Sequence, residues 1–300
     1  MRISNPYGYY SNLLVELVKL PGVRGRPRPY HWNDLSDEKD EVFFLLAAYV
    51  LVGGAWLGGW CWQPVARRLR EAGHEAYPVT PTGLGERSHL SNPEVNLDTH
   101  ITDVVNLIEF EDLRDVVLLG HSYAGIVVTG AADRVPERIA QLVYLDSGPA
   151  PDGVSFLDCQ PPEIREHTER QVAEHGNGWL IPVPSWEELE NVHGASLEGL
   201  GDQERRLMRS RAVAQPFGTY TQPLRLEKRT DGALAKTLIT TSFPLAQVRE
   251  MIASGHPWFR ELGGSEWRLL ELPTGHWPMF SRPDDLAEVL VGGLLPPASQ

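Results

Sequence analysis

The apolar residues of this chain fall into short unbroken runs, and segments with helical periodicity lie between them. Runs without alternating polar residues are typical of strands that are buried on both faces. Strands that alternate with helices predict an α/β fold with a mostly parallel sheet flanked by helices. Six strands are predicted, at residues 47–52, 75–80, 115–119, 141–145, 235–241 and 267–272.

The helical segments carry signals for their ends as well as apolar faces. Residues 64–73 form a predicted amphipathic helix that ends at Gly73. A later helix has Asp98 as its predicted N-cap, and a final helix over residues 281–290 has Ser281 in that position. The apolar face of the later helix is formed by Ile101, Val104, Val105 and Ile108.

The alternation lapses in two places, and these predict the domain organisation. Residues 149–226 are rich in Pro, Glu and Trp, and we expect them to form a helical cap. The cap is inserted into a core that spans residues 46–148 and 227–300. Residues 1–45 contain arginines between prolines and glycines, followed by an acidic run, so a poorly packed extension is expected there.

Residues 42–62 contain no charged residue and are long enough to suggest a membrane span. Their second half, GGAWLGGWCW, contains four glycines and three tryptophans, which favours a buried strand followed by a glycine-rich loop. The whole chain carries 27 Lys and Arg against 40 Asp and Glu, a formal net charge of −13. That excess of acidic residues argues against a nucleic-acid or anionic-membrane partner.

The chain has two cysteines, Cys61 and Cys159, so at most one disulfide can form, and their spacing does not suggest zinc. We therefore expect a reducing, cytoplasmic location. No pattern predicts a metal or an organic cofactor. The oligomeric state is left open, with a homodimer among the states that the sequence allows.

A candidate nucleophile lies in the sequence Gly120-His121-Ser122-Tyr123-Ala124-Gly125, directly between a predicted strand and a predicted helix. A sharp strand-to-helix turn presents its central residue at the carboxyl end of the sheet, and it needs small residues on both sides. Gly120 and Ala124 meet that need, so Ser122 is the predicted nucleophile. The alternative is a serine that only caps the helix.

The remaining two members of a catalytic triad are sought in chain order. His276 follows the last predicted strand, where the base that takes the serine proton is expected. Asp146 ends the strand at residues 141–145, and we favour it as the acid that orients His276 over a role as a turn cap. Glu250 is the fallback, because residues 242–249 contain no carboxylate.

Stabilisation of a tetrahedral oxyanion requires backbone N–H donors. The N–H groups of Tyr123 and Ala55 are predicted for this role, since Ala55 follows two glycines that allow a close approach of backbone to substrate. Gly54, Trp56 and Trp179 are predicted to contact the substrate. For the tryptophans, packing without a binding role is the competing interpretation.

Taken together, these residues resemble the α/β-hydrolase superfamily, and more narrowly its branch of small esterases and hydroxynitrile lyases that includes plant methyl-salicylate esterases. The resemblance implies the α/β-hydrolase fold and a triad built on Ser122 and His276. That branch usually has His-Gly where Gly53-Gly54 stands, which predicts that a hydrogen bond supporting the loop is missing. The resemblance extends over most of residues 47–292, in the stretches LVGGAWLGGWCW, TGLGERSHL, LDTHITDVV, VVLLGHSYAGIV, LVYLDSG, PFGTYTQPL and LPTGHWPMFSRPDDLA.

The favoured function is cleavage of a small, apolar carboxylic ester by a Ser-His-Asp mechanism. One alternative is hydroxynitrile-lyase chemistry on the same triad, which a nearby lysine would favour; only Lys228 and Lys236 follow residue 39. The other is a non-catalytic binding protein with a hydrolase fold, since the usual acid position after the strand at residues 235–241 is empty of carboxylates.

Overall fold

The computed structural model describes residues 46–227, 234–255 and 259–293. The predicted extension at residues 1–45 lies outside the described residues, as does Lys228. None of the helices in the described ranges has the length and hydrophobicity of a membrane span.

A six-stranded parallel sheet forms the centre of the fold. Its strands are β1 (Ala48–Val52), β2 (Glu75–Val79), β3 (Val116–His121), β4 (Ile139–Leu145), β7 (Ala235–Thr240) and β8 (Trp267–Glu271). They lie in the order β2-β1-β3-β4-β7-β8, and every neighbouring pair is parallel. Their ends agree with the predicted strands to within two residues. The α/β prediction is therefore confirmed.

Helices cover both faces of the sheet, as the unbroken apolar strands require. The helices α1 (Gln63–Glu71) and α10 (Pro283–Gly293) pack together on one face, and α2 (Leu97–Phe110) and α3 (Ala124–Arg134) pack together on the other. Alternate residues of β1 contribute to two separate cores, because successive side chains of a strand point to opposite faces. Val50 is buried with α2 and α3, and Leu51 is buried with α1 and α10.

Between β4 and β7 the chain leaves the sheet and forms the segment that we call the cap (residues 149–226). Its elements are α4 (Pro162–His175), β5 (Leu180–Ile181), α5 (Trp186–Asn191), α6 (Asp202–Arg211), β6 (Gln215–Pro216) and the single-turn helix α7 (Gly218–Thr221). β5 and β6 pair as a short antiparallel ribbon. Two helices follow β7 before α10, namely α8 (Leu245–Ala253) and α9 (Pro278–Ser281).

Two predicted N-caps are wrong. Asn96, rather than Asp98, caps α2: its side chain accepts the N–H of Thr99 at 3.1 Å, and the Thr99 hydroxyl accepts the N–H of Asn96 in return. Ser281 is the last residue of α9, and α10 begins at Pro283. Proline is favoured at the start of a helix, because its missing N–H would have had no partner in the first turn.

Candidate active site

Ser122 lies on the sharp turn between β3 and α3, with a φ of +52°. The turn is held by a hydrogen bond from the Ser122 N–H to the carbonyl of Leu145 at 3.1 Å. A Cβ atom at Gly120 would lie 2.6 Å from the carbonyl oxygen of Ala124, so the turn tolerates only glycine there. This strained backbone presents the Ser122 side chain at the carboxyl edge of the sheet.

The imidazole of His276 lies between Ser122 and Asp146. Its Nε2 is 2.9 Å from the Ser122 Oγ, and its Nδ1 is 2.6 Å from the Asp146 Oδ2. A carboxylate can only accept, so the Nδ1 carries the proton and the Nε2 is free to accept the serine hydroxyl. The structure thus brings together the three residues predicted as a triad.

Two hydrogen bonds fix the backbone of His276 on the loop after β8. Its N–H donates to the carbonyl of Ser196 in the cap at 2.8 Å, and its carbonyl accepts from the Nε2 of His121 at 2.7 Å. His121 is fully buried, and its Nδ1 has no partner in the described part of the chain. Sequence reasoning assigned His121 no role, although its place beside Ser122 makes it the neighbour of the base.

Asp146 is only 7% exposed and is held by several donors besides His276. Its Oδ1 accepts the N–H groups of Thr241 at 3.0 Å and Ser242 at 3.1 Å, and its Oδ2 accepts the Ser242 hydroxyl at 2.5 Å. Burial by itself raises the pKa of Asp146, but His276, Ser242 and Thr241 outweigh it and hold that pKa well below its ordinary value.

The donors Thr241 and Ser242 were not predicted. They follow β7, where sequence reasoning looked for a carboxylate and found none. Glu250, the fallback acid, is exposed on α8, and the carboxylate that contacts His276 is that of Asp146.

The loop after β1 lies directly against the turn that carries Ser122. A Cβ atom at Gly54 would lie 2.8 Å from the Nδ1 of His121 and 3.1 Å from the Cβ of Ser122. In the described part of the chain, the N–H groups of Ala55 and Tyr123 have no hydrogen-bond acceptor. Both amides therefore remain available to an oxygen atom bound beside Ser122.

Aromatic side chains from the cap pack around this edge of the sheet. The ring of Tyr220 stacks on that of Tyr123, with centroids 5.4 Å apart. A small cavity of about 20 Å³ lies between the loop and the cap, and Ala55, Trp56, Trp186 and Trp277 are among its lining residues. Trp179 is half-buried in the cap and is not among the residues that line this cavity.

Two other features bear on alternative chemistry. Lys236, the only lysine in the described ranges, lies at the start of β7, and its ammonium group packs on the ring of Trp267. Lys236 therefore lies at the amino ends of the parallel strands, whereas Ser122 lies at their carboxyl ends. In the same ranges, no group of three or more His, Cys, Asp or Glu side chains is placed to hold a metal ion. None of the three triad residues lines the 20 Å³ cavity or a larger groove of about 530 Å³ between β8 and α10.

The parallel sheet and the serine on its strand-to-helix turn define a hydrolase of the α/β type. Residues 49–289 match the model of the Alpha/beta hydrolase family, and the chain belongs to that family.

Named relatives narrow the comparison. The chain is 37% identical over 255 residues to the "Carbendazim hydrolyzing esterase" of Nocardioides sp. (strain SG-4G), an alignment that covers 82% of this chain and 98% of that protein. It is 26% identical to the "Putative methylesterase 12, chloroplastic" of Arabidopsis thaliana, over 86% of this chain and 76% of the relative. The family and these relatives support assignment of the chain to the carboxylic-ester hydrolases.

A solved structure with a similar fold supports the same assignment. It is an extracellular alpha/beta-hydrolase from a Paenibacillus species, described as sharing structural and functional homology with tobacco salicylic acid binding protein 2. The TM-score is 0.68 at 27% identity, and the match covers 82% of this chain and 98% of the other. The predicted membership of the methylesterase-like branch is confirmed.

Proposed function

We propose that this chain is a serine esterase that cleaves a small carboxylic ester through an acyl-enzyme intermediate. The observation that carries the proposal is the unbroken hydrogen-bonded series from Ser122 through His276 to Asp146, with heavy-atom distances of 2.9 and 2.6 Å. A serine hydroxyl is a weak nucleophile by itself, and this arrangement supplies both the base and the group that orients it.

In the first half of the reaction, the Ser122 Oγ attacks the ester carbonyl carbon while its proton moves to the Nε2 of His276. The negative charge that develops on the carbonyl oxygen is stabilised by the N–H groups of Ala55 and Tyr123. Collapse of the tetrahedral intermediate breaks the bond to the leaving alkoxide, which takes the proton from His276. The acyl group is then esterified to Ser122.

In the second half, a water molecule attacks the acyl carbon and gives its proton to the Nε2 of His276. Collapse of the second tetrahedral intermediate releases the carboxylic acid and returns the proton to the Ser122 Oγ. Throughout both halves, the carboxylate of Asp146 keeps His276 in the productive tautomer and stabilises its protonated form.

The surroundings of the triad support an apolar substrate of modest size. The 20 Å³ cavity beside Ala55 is much smaller than the several hundred Å³ that ligand pockets usually occupy. An ester that binds there must displace lining side chains, which include the indoles of Trp56 from the loop after β1 and of Trp186 from the cap. Large acyl groups are therefore expected to be poor substrates.

The proposal is tested by the release of p-nitrophenol from p-nitrophenyl acetate by the wild-type chain and by the Ser122→Ala variant. We expect a burst of product in proportion to enzyme from the wild type, because this activated ester should acylate Ser122 faster than the acyl-enzyme is hydrolysed. In the variant, kcat should fall by about five to six orders of magnitude. A panel of acyl and aryl methyl esters, with carbendazim included because of the relative's name, would then define the substrate.

A Ser122→Ala variant that keeps its turnover would contradict the mechanism. An inactive wild-type chain that binds esters without turnover would instead favour the non-catalytic alternative. Lyase chemistry receives no support from the described lysine, since Lys236 lies at the amino end of β7, away from Ser122.

A further inference from the structure

The loop beside Ser122 contains a tryptophan in a backbone conformation that glycine usually adopts. Residues Gly54 to Leu57 form a turn, closed by a hydrogen bond from the Leu57 N–H to the Gly54 carbonyl at 3.3 Å. Trp56 is the third residue of this turn, with a φ of +64°. Turns with a positive φ at that position normally have glycine or asparagine there, because a bulky side chain is strained. Something outside the turn must therefore hold Trp56 in place.

The cap supplies three hydrogen bonds to Trp56. The Trp56 N–H donates to the Oε1 of Gln215 at 2.9 Å, and the Trp56 carbonyl accepts the N–H of Val213 at 3.2 Å. The indole Nε1–H donates to the carbonyl of Ile181 at 3.3 Å. Of these three partners only Gln215 acts through its side chain, so it is the one that a substitution can remove.

Gln215 is fully buried, and a second contact determines which way its amide group points. The Thr219 hydroxyl donates to the carbonyl of Pro216 at 2.7 Å, so its oxygen is left to accept the Nε2 of Gln215 at 2.8 Å. With its NH₂ group directed at Thr219, Gln215 presents its carbonyl oxygen to the Trp56 N–H. The amide therefore selects one orientation of the peptide between Ala55 and Trp56.

That orientation matters because Ala55 supplies a proposed oxyanion donor. Without Gln215, the peptide between Ala55 and Trp56 is free to flip, and a flip would return Trp56 to the negative φ that suits it. The turn that aims the Ala55 N–H would then rearrange. The same cap turn also supports the other donor, since Tyr220, next to Thr219, stacks on Tyr123.

We infer that Gln215 is a positioning residue of the cap, which acts through the Trp56 N–H to keep the Ala55 amide in the oxyanion hole. The inference rests on the proposed function, because it assigns Gln215 a part in that reaction. It also explains what supports the loop in this chain, which has Gly53 where the resembling branch has histidine.

The experiment compares Gln215→Met, which keeps the volume of the side chain but removes its hydrogen bonds, with Gln141→Met. Gln141 is a matched control, because its Nε2 donates to the Thr237 hydroxyl at 2.7 Å, within the sheet and away from the triad. Thr219→Val is a second test variant, since it leaves Gln215 in place but removes the hydroxyl that orients it. The measurements are kcat and KM for p-nitrophenyl acetate, and the thermal unfolding midpoint.

We expect Gln215→Met to lower kcat by about 10- to 100-fold with KM changed less than about threefold, as for a displaced catalytic group. Thr219→Val should have a smaller effect in the same direction, and Gln141→Met should leave kcat within about twofold of the wild type. A merely structural role would lower the unfolding midpoint without a selective loss of kcat at a nearly unchanged KM.

An oxyanion-specific measurement completes the test. A trifluoromethyl ketone binds as a tetrahedral adduct of the serine, with its oxygen where the oxyanion forms. The product acid binds without forming such an adduct. Gln215→Met should weaken ketone binding by the same factor as kcat and should leave binding of the acid unchanged. Equal kcat values for Gln215→Met and Gln141→Met, or unchanged ketone binding, would overturn the inference.

A crystal structure of Gln215→Met separates this inference from the proposed function. We expect Trp56 to leave its positive φ in the variant, and this can be observed even if the wild type hydrolyses no ester. An unchanged Trp56 would show that Gln215 does not hold the turn. A wild type without esterase activity would refute the proposed function, and with it the catalytic part of the inference.

Discussion

Asp146 and His276 lie 130 residues apart in the chain and meet across a strand to which neither belongs, with 2.6 Å between Oδ2 and Nδ1. Asp146 follows β4 and His276 follows β8, and β7 lies between these two strands. Thr241 and Ser242 directly follow β7 and donate to the same carboxylate. The carboxylate is thus oriented before any substrate binds, and the acid needs no flexibility to reach the base.

Replacement of Asp146 with asparagine tests this arrangement. Asparagine has nearly the same shape, but its amide can donate to His276 and thereby favour the wrong tautomer, with the proton on Nε2. We expect kcat to fall by about three to four orders of magnitude, as the loss of an orienting acid does in such triads. The measurement is steady-state hydrolysis of p-nitrophenyl acetate at pH 7.

Glu250→Gln is the matched control for that variant, because Glu250 is an exposed carboxylate on the nearby helix α8. It should leave kcat unchanged. The reverse outcome, a large loss in Glu250→Gln with Asp146→Asn intact, would mean that His276 takes its acid from α8 in the working enzyme.

The contrast between predicted and observed features has physical causes. The strands and the strand-to-helix turn at Ser122 could be predicted, because burial on both faces and the demand for small neighbours leave a local pattern in the sequence. The helix caps were harder: Asn96 and Asp98 are both good N-caps, and the reciprocal bond with Thr99 decides for Asn96.

Long-range hydrogen bonds left no such pattern. Ser242 and Gln215 are ordinary polar residues in the sequence, and their importance lies in partners 96 and 159 residues away. The absence of a carboxylate after β7 was informative, because the residues there are donors to Asp146, the acid that follows β4. The specific contact can be inferred only from the register of β4 against β7, which the sequence does not reveal.

Substitution of alanine for glycine in the loop after β1 should have unequal effects at two adjacent positions. A Cβ atom at Gly54 would lie 2.8 Å from the His121 Nδ1 and 3.1 Å from the Ser122 Cβ, and would push the loop from the nucleophile. At Gly53 the nearest atom is the Cys61 Sγ at 3.2 Å, with no triad residue among the neighbours. We expect kcat to fall by about 100-fold in Gly54→Ala, since a displacement of about 1 Å has that effect.

The same change at Gly53 should lower kcat by no more than a few-fold, at an unfolding midpoint similar to that of Gly54→Ala. Similar kcat values for the two variants would show that the loop does not depend on its close contact with the turn at Ser122. Thermal unfolding of both variants, followed by circular dichroism, separates a local effect from a loss of the fold.

Deletion of residues 1–44 is expected to preserve both the fold and the activity. Among the described residues, those that form the proposed triad and the two cores all lie at position 47 or later. A chain that starts at Leu45 should therefore have the kcat and the unfolding midpoint of the full chain. A soluble but inactive truncated chain would assign the first residues a part in the site.

Stability should fall as the pH is lowered below 6.5, because the fully buried histidines His100 and His121 are held in the neutral form. Burial lowers the pKa of His100 to about 4. Burial also lowers the pKa of His121 to about 3, and a positive charge on His276 adds to this effect. In the unfolded chain both would have an ordinary pKa of about 6.5. Between pH 6.5 and about 4 the unfolded state therefore binds more protons than the folded state, and the free energy of unfolding rises with pH.

Each histidine contributes a slope of up to about 1.4 kcal/mol per pH unit in that range. Asp146 does not interfere, because its pKa is lowered on folding and its contribution is lost only below the unfolded value of about 4. Urea unfolding at pH 6.5 and pH 5.0 measures the slope. His100→Gln keeps a neutral polar group beside Tyr123 and should lower the average slope over this range by about 1 kcal/mol per pH unit. A variant with the wild-type slope would mean that His100 becomes protonated without unfolding.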